Sequence, residues 1–474
     1  MDVGRIREQL DHPIIDNDGH IIEFLPLVRD VLVELAGSSV AEQFDLVVAS
    51  GRLTQHLSPD DRRAAGMSRM PWWGVPTRNT LDRATAMLPA LLYERLDQIG
   101  VDVAFLYPTY GLTAIHVPAD ELREAMSRAF NTYVAEVYAP YRDRLLPVAC
   151  IPTFTPEEAL AELDHAVGVL GLRAVMMGGA IPRTTPGRDG APVRWYDGLG
   201  HASAHDYSPV WERCVELGVS PTFHSTGAGW GARTSPTNYV FNHIGNFAVA
   251  GELRARSLLF GGVPHRYPQL RFAFLEGGAA WASNLFSDVL GHWEKRNVDA
   301  IGQYDPAALD RELLGSLFEA HAEPRVRERL DRLDEGLGML SEPFVGDDAV
   351  DEFAESLLTS AEDVRDVFTR QFFFGCEADD PMTAIAFDEE LNPLGARLPA
   401  IFASDIGHWD VPDFAGVLSE AWELVEHGHL DPADFRAFTF DHPVALWAGT
   451  NPHVFDGTVV EAEVQTALGA PAAP

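Results

Sequence analysis

The amino-acid sequence predicts an α/β fold, a distorted TIM (β/α)8 barrel with helical insertions, and three observations support this prediction. Eight short apolar runs alternate with helical stretches, which is the pattern of βαβ units around a parallel sheet. Four of these runs end in a carboxylate or an imidazole, and the carboxyl ends of barrel strands converge on one face. The chain of 474 residues is long enough for one barrel with insertions.

The predicted strands are apolar runs that Gly, Pro or Ser residues interrupt or follow. They cover residues 13–21, 101–107, 145–151, 173–177, 220–224, 270–276, 371–376 and 398–404. Between them, Thr155-Pro156-Glu157-Glu158 has the residues of a capping box and predicts the start of a helix. Ser208 and Pro209 predict a second helix start, and Gly218 predicts where that helix ends. We expect these helices to form an outer ring around the strands.

The predicted barrel is a single domain that spans residues 12–465, with insertions at about 24–95, 180–207 and 283–370. The first insertion contains the aromatic pair Trp72 and Trp73. Long ordered insertions in compact folds are typically lids or partner surfaces. Because the first two insertions leave from the carboxyl ends of predicted strands, we expect them to overhang the face where the strand-end residues lie.

The overall charge limits the classes of partner. The formal net charge is −36 at pH 7, which argues against nucleic acid and against anionic membrane surfaces. No run of about 18 apolar residues is present, and residues 1–10 lack the apolar centre of a signal peptide. We therefore expect a cytoplasmic protein that binds neither membranes nor nucleic acids.

Cysteine and lysine usage excludes several kinds of site. Cys150, Cys214 and Cys376 lie far apart and form no CxxC pair, so neither a disulfide framework nor a cysteine-type zinc site is predicted. Lys295 is the only lysine and lies in a stretch that is predicted to be an exposed helix. Schiff-base chemistry needs a desolvated lysine, so we do not expect it. Any second metal would have to use imidazole and carboxylate ligands.

The strand-end residues have the chemistry of metal ligands. Asp16, Asp18 and His20 lie at alternate positions and are therefore expected to face the same side of the first strand. His224, Glu276 and Asp405 follow three other apolar runs. Burying an unpaired carboxylate is costly, so such residues are expected to meet a metal or a cation. Carboxylate and imidazole together suit Zn, Mn or Fe. The alternative is that the Asp-Gly turn is solvated and that His224 is a hydrogen-bonded core residue.

The same segments carry a family resemblance. The sequence resembles the amidohydrolase superfamily, in the decarboxylase-type branch that includes aminocarboxymuconate-semialdehyde decarboxylase and resorcylate-type decarboxylases. The shared segments are residues 16–20, 223–224, 261–281 and 404–408, in that order along the chain. The resemblance implies a divalent metal that Asp18, His20, His224 and Asp405 hold.

Two positions differ from the common family pattern. The chain has Asp18 where many members have histidine, and Glu276 where some members have a catalytic histidine after the sixth strand. A subset of the branch resembles dinuclear iron or manganese oxygenases. In that case, the resemblance implies that Glu276 and His243 help to hold a second metal.

The leading functional prediction is a metal-dependent hydrolase or non-oxidative decarboxylase that acts on a small organic acid. Asp405 would be a ligand and a proton shuttle, and His408 would be an acid–base group. Glu276 would accept a hydrogen bond from a ligand imidazole if only one metal binds. Together, these three residues are the predicted catalytic set.

Substrate contacts are predicted on the loops. Arg233 is a candidate anchor for a carboxylate, because a guanidinium can bind both carboxylate oxygens. Trp73 and Trp230 are candidate lining residues of the substrate pocket, and burial in the core is an equal alternative for both.

Two other functions remain open at this stage. One is a dinuclear iron/manganese oxygenase that uses the same pocket. The other is a catalytically silent barrel that acts as partner to an active homologous subunit. A homo-oligomer is expected in either case, and the number of bound metals distinguishes the three functions.

Overall fold

The computed structural model describes residues 1–71, 77–225, 233–338 and 351–469. Eight parallel strands form a nearly closed barrel, in the order β1-β2-β3-β4-β7-β8-β9-β10. They are β1 (Ile15–Ile21), β2 (Val103–Pro108), β3 (Leu145–Cys150), β4 (Ala174–Gly178), β7 (Pro221–His224), β8 (Phe272–Phe274), β9 (Phe372–Glu377) and β10 (Ala400–Ala403). The predicted TIM barrel is therefore confirmed, and each of its strands overlaps a predicted run, with β2, β4 and β9 ending one residue later than predicted.

The seam between β1 and β10 closes through the segment that follows β10. Asp405 N donates to Asp18 O at 2.8 Å, and His20 N donates to Ile406 O at 2.7 Å. Asn17 Nδ2 also donates to Phe402 O at 2.9 Å. These bonds bring the carboxyl end of the first strand against the turn after the last strand, although the two lie nearly 390 positions apart.

The strands are buried on both faces, as expected for a parallel sheet that helices cover. Alternate residues such as Val103, Phe105 and Tyr107 belong to one apolar cluster, and their neighbours Ala104 and Leu106 belong to another. This alternation follows from the two-residue period of a strand, and it separates the barrel interior from the layer under the helices.

Helices surround the barrel and fill the connections. In the described residues the α-helices are α1 (Val3–Arg7), α2 (Leu25–Ala36), α3 (Ser38–Thr54), α4 (Pro59–Ala64), α5 (Thr80–Thr85), α6 (Pro89–Ile99), α7 (Gly111–Ala114), α8 (Asp120–Val137), α9 (Pro156–Leu163), α10 (Ser208–Leu217), α11 (Tyr239–His243), α12 (Asn246–Phe260), α13 (Val263–Arg266), α14 (Ala280–Arg296), α15 (Arg311–His321), α16 (Pro324–Arg327), α17 (Leu333–Leu337), α18 (Ala361–Arg370), α19 (Val417–Glu426), α20 (Pro432–Arg436), α21 (His442–Trp447) and α22 (Glu461–Gly469). The predicted capping box of Thr155 and Glu158 starts α9, and Gly218 ends α10 in the left-handed conformation.

The second predicted insertion contains an antiparallel hairpin of β5 (Ile181–Pro186) and β6 (Pro192–Asp197), which the sequence did not predict. Arg183 anchors its base, since the guanidinium donates to Asp197 Oδ2 at 3.0 Å and to Phe154 O at 2.6 Å. Phe154 lies just after β3, so the base of the hairpin packs near the carboxyl ends of β3 and β4. Its role as a lid stays a prediction.

The third insertion is largely helical. Helices α15, α16 and α17 contain no buried residue. The predicted bounds of the single domain and of its insertions stay predictions. In the described part of the chain, no helix combines the length and the apolar character that crossing a membrane requires.

Candidate metal centre

The carboxyl-terminal half of β1 carries two of the predicted ligands, Asp18 and His20, and both are fully buried. The pairing of β1 with β2 shifts in register between Asp16 and Gly19. A Cβ added at Gly19 would lie 2.9 Å from Asp16 Oδ2 and 3.1 Å from Leu106 Cδ2. Glycine is therefore required between the two ligands, because the irregular strand passes too close to its neighbours for a side chain.

Asp16 is the first acidic residue of β1. Its side chain binds Ser404, just after β10, and does not face the predicted metal ligands. Ser404 donates to its carboxylate twice, from N to Oδ1 at 2.9 Å and from Oγ to Oδ2 at 2.5 Å. Asp18 N donates to Oδ1 at 3.2 Å. Burial raises the pKa of Asp16 to about 6, and the bonds from Ser404 act against that rise. Asp16 thus accepts from the backbone of β1 and from the backbone just after β10, the two segments that carry Asp18 and Asp405.

The four predicted ligands come together from β1, β7 and the turn after β10. His20 Nε2 lies 3.2 Å from His224 Nε2 and 3.4 Å from Asp18 Oδ1. The same His20 atom lies 3.5 Å from Asp405 Oδ1. Ligand atoms around one tetrahedral zinc ion are about 3.3 Å apart. Asp18, His20 and His224 therefore have ligand atoms close enough for a single divalent cation, whereas Asp405 is close to His20 but does not belong to this group.

The donor atoms at this point have few other partners, one of which is Glu276 Oε2, 2.9 Å from His224 Nε2. Both carboxylate oxygens of Asp18 are buried and have no hydrogen-bond partner among the described residues. His224 Nδ1 lies 2.8 Å from Ser225 O, an arrangement that assigns the ring proton to Nδ1 and leaves the lone pair on Nε2. A divalent cation would satisfy all of these atoms, so the residues present fit a metal.

The electrostatics of the site agree with this fit. Burial raises the pKa of Asp18 to about 7 and raises the pKa of Asp405 well above its usual range. Burial also lowers the pKa of His20 well below its usual range, and His408 and His224 add to that effect. Without a cation, the buried carboxylates are costly to ionise, whereas a divalent ion would stabilise both carboxylates and accept an electron pair from the neutral imidazole.

Glu276 and His408 extend the cluster on one side. His408 Nδ1 lies 2.7 Å from Asp405 Oδ1 and 3.8 Å from Glu276 Oε1. The His408 ring stacks on the His20 ring, with centroids 3.7 Å apart. His20, Glu276, Asp405 and His408 form a second set of potential metal ligands, whose donor atoms all lie within 4.8 Å of one another.

The protonation of His408 follows from its neighbours. Burial acts to lower the pKa of His408, but Asp405 and Glu276 together outweigh burial and raise that pKa well above its usual range. For Glu276, burial acts to raise the pKa, but His224 and His408 together hold it at about 2. His408 is thus a buried acid that is in contact with a carboxylate, a suitable arrangement for proton transfer.

Asp405 and Glu276 both occur at sharp bends in the backbone. Their φ angles are 49° and 60°, in the left-handed region that non-glycine residues seldom adopt. Such conformations cost roughly 1–3 kcal/mol each and cluster at functional sites. Both residues directly follow barrel strands, and the bends turn their side chains into the site.

A cavity of about 270 Å³ lies beside the cluster and shares Glu276 with it. Its wall includes Glu377 at the end of β9 and Trp409 and Asp410 after β10. Burial, together with the negative charges of Glu276 and Asp410, raises the pKa of Glu377 to about 9. In the described part of the chain, this cavity opens next to the predicted metal ligands.

The other predicted site residues are more distant. His243 lies in the cavity wall, with its ring 5.6 Å from the Trp409 ring, and it belongs to neither set of potential metal ligands. Arg233 Nη1 donates to Ile244 O at 2.7 Å. Trp73 and Trp230 lie outside the described residues. The roles of all the predicted site residues stay predictions.

Sequence reasoning missed the connecting role of Asp16 and the cavity residues Glu377, Trp409 and Asp410. Glu377 ends an apolar strand, as the predicted ligands do, so the same strand-end rule could have found it. Asp410 carried no local signal, because only the fold brings it beside Glu377.

Comparison with known proteins identifies the family. The amidohydrolase family matches residues 43–335, more than half of the sequence. The chain belongs to the amidohydrolase family. The predicted family and the prediction of an enzyme are therefore confirmed. The match begins after Asp18 and His20 and ends before Asp405, so these ligands are assigned from their geometry alone.

Solved structures of similar fold include the following three bacterial proteins. An amidohydrolase from Mycobacterium avium subsp. paratuberculosis K-10 is 17% identical, with a TM-score of 0.50, over 92% of this chain and 98% of that one. A 5-carboxyvanillate decarboxylase from Sphingomonas paucimobilis is 12% identical, with a TM-score of 0.49, over 92% and 98%. A dihydroxybenzoic acid decarboxylase from Polaromonas sp. JS666, with bound manganese, is 15% identical, with a TM-score of 0.45, over 92% and 97%. No curated protein matches the sequence. Because the sequence identities are this low, these structures show only that this amidohydrolase has a similar fold.

Proposed function

We propose that this amidohydrolase is a metal-dependent hydrolase or non-oxidative decarboxylase of a small organic acid. The observation that carries the proposal is the clustering of Asp18, His20 and His224, with Asp405 beside His20 and with the buried oxygens of Asp18 lacking partners. When bound there, a divalent metal would polarise a substrate oxygen or lower the pKa of a water molecule.

The protein residues would do the remaining work. Asp18, His20 and His224 would hold the metal, and Ser225 O would keep the His224 ring oriented through Nδ1. His408, with Nδ1 2.7 Å from Asp405, would donate a proton to the substrate or accept one from it. Glu276 would accept from His224 Nε2 only when that nitrogen carries a proton in place of the metal, since Glu276 Oε2 lies 2.9 Å from it.

Metal analysis of purified variants tests the proposal. Wild-type protein that has been loaded with zinc, manganese or iron should retain one equivalent by mass spectrometry, and Asp18→Asn should retain far less. Asp379→Asn, which neutralises an exposed carboxylate after β9, is the control and should keep the full equivalent. A metal-loaded enzyme should then release carbon dioxide or a hydrolysis product from members of a panel of small carboxylic acids and their amides. Full metal retention in Asp18→Asn would contradict the ligand assignment.

A second candidate function is a dinuclear oxygenase, which the second ligand set favours. His408, Glu276 and Asp405 would then hold a second metal, whereas the sequence had suggested His243 for that role. This function requires two metal equivalents, of which His408→Gln and Glu276→Gln should each lose one, together with substrate-dependent oxygen uptake. A single equivalent without oxygen uptake would eliminate it. A silent partner subunit would bind no metal and would be inactive when alone.

The assembly state and location belong to the same proposal. We expect a homo-oligomer, or an assembly with a homologous subunit, in the cytoplasm. Light scattering of the purified chain measures the first expectation, and fractionation of the native cells measures the second.

A further inference from the structure

The cavity beside the metal centre is built from the loops that follow β8, β9 and β10. Glu276 forms its inner end, and the Glu276 side chain is only 2% exposed. Its volume of about 270 Å³ is just below the range of about 300–1,000 Å³ that is typical of small-molecule sites. A substrate that binds at the metal centre therefore has this cavity as a neighbouring subsite for a small group.

Apart from His243, the titratable side chains of the cavity wall are all acidic, and an ammonium group bound there would favour the charged form of Glu377. Glu276, Glu377, Asp380 and Asp410 line the cavity, and its described lining contains no lysine or arginine. Asp410 Oδ1 is buried and has no hydrogen-bond partner among the described residues. The undescribed segments 72–76, 226–232 and 339–350 contain no lysine, arginine or histidine that could supply a positive charge.

The wall opposite the carboxylates is aromatic. The His243 ring lies 5.6 Å from the Trp409 ring and 5.3 Å from the Phe247 ring. The Phe247 ring lies 5.7 Å from the ligand His224, so the aromatic wall begins at the metal centre and runs outward. Aromatic faces attract cations, and carboxylates do so more strongly. Both features of the cavity favour the same kind of ligand group.

We infer that the substrate carries a protonated amine, which binds in this cavity while its acid group faces the metal centre. This inference rests on the proposed function and narrows the substrate class from organic acids to amino acids or other acids with an ammonium group. Glu377 and Asp410 would bind the ammonium directly, and Trp409 would cover it. Arg233 as an anchor for a second carboxylate would then be unnecessary, which agrees with its hydrogen bond to Ile244 O.

Binding of two probes of the same shape tests the inference without requiring turnover. Isothermal titration of the metal-loaded full-length protein at pH 7 would compare benzylammonium with neutral benzyl alcohol, and with benzoate as the anionic probe. We expect benzylammonium to bind at least about tenfold more tightly than the alcohol, because each charge-assisted hydrogen bond contributes a factor of this size.

Variants of the cavity carboxylates show which side chains bind the ammonium group. Glu377→Gln and Asp410→Asn should each weaken benzylammonium binding about tenfold or more and leave benzyl alcohol binding unchanged. Asp379→Asn, the exposed control, should change neither affinity. Equal affinity for benzylammonium and benzyl alcohol would overturn the inference, whereas benzoate, which can bind at the metal centre, should keep its affinity in both variants. Occupation of the cavity by a metal ion, seen as an equivalent that Glu377→Gln alone removes, would also overturn it.

The two proposals fail separately. An amidohydrolase that binds benzylammonium in this way but processes no acid would contradict the proposed function alone. An enzyme that processes simple acids and shows no preference for ammonium would contradict this inference alone.

Discussion

Replacing Asp16 with alanine tests whether that residue positions the metal ligands. The side chain accepts from Ser404 N, Ser404 Oγ and Asp18 N, and it is fully buried. Asp16→Ala would leave three buried donors without a partner, at about 1–3 kcal/mol each, and such losses within one network are not additive. We therefore expect the free energy of unfolding to fall by about 3–5 kcal/mol.

The same change should weaken metal binding about 10–100-fold, the usual effect of removing a group that orients metal ligands. The measurement is the metal dissociation constant from competition with a chelator, together with the melting temperature. Asp16→Asn keeps an oxygen for the two backbone donors, and Ser404 Oγ can turn to accept from its amide. This conservative variant should therefore recover most of the metal affinity.

A matched control distinguishes an effect on the position of the metal ligands from an effect on the stability of the fold. Asn17 is also buried and also bonds to the last strand, through Nδ2 to Phe402 O at 2.9 Å, but its Oδ1 accepts from Trp447 Nε1 on the other side. Asn17→Ala should lower the melting temperature and leave the metal dissociation constant within about threefold of wild type, because it orients no ligand. If Asp16→Ala also left metal affinity intact, Asp16 would serve the fold alone and the reasoning would be refuted.

Three further predictions concern pH, backbone and charge. Burial raises the pKa of Glu162 to about 7 from an ordinary 4.5, so the folded protein binds this proton more tightly than the unfolded chain does. The free energy of unfolding should therefore fall by up to about 3 kcal/mol as the pH rises from 4.5 to 7. Glu162→Gln should flatten that slope in urea titrations, whereas the exposed Glu157→Gln on the same helix should keep it. Gly407→Ala should lower both the melting temperature and the metal affinity, because Gly407 has φ +100° and an added Cβ would lie 2.6 Å from His20 O. The control Gly416→Ala, whose added Cβ would have its nearest neighbour at 3.6 Å, should leave both quantities unchanged. Glu276→Gln should reduce turnover, and unchanged turnover with unchanged metal content would show that its charge is not used.

Several features of this amidohydrolase could be predicted because their signals are local in the sequence. A short apolar run between helical stretches predicts a buried parallel strand, and each of the eight barrel strands overlaps a predicted run. A polar residue that directly follows such a run lies at the carboxyl end of the strand, so Asp18, His20, His224 and Asp405 could be predicted to meet without any distance being known. Gly19 likewise marks the close approach of β1 to its neighbours.

Other features were decided only in the tertiary structure. Asp16 and Asp18 are two residues apart and were expected to face the same way, but the register shift in β1 lets Asp16 bind Ser404 while Asp18 faces His20. The sequence suggested His243 as the partner of Glu276 at a second metal, whereas the turn at Asp405 brings His408 Nδ1 within 3.8 Å of Glu276 Oε1. The physical reason is that sequence periodicity gives the direction of a side chain only along a regular strand or helix. Where a backbone bends or bulges, contacts with segments hundreds of residues away determine that direction.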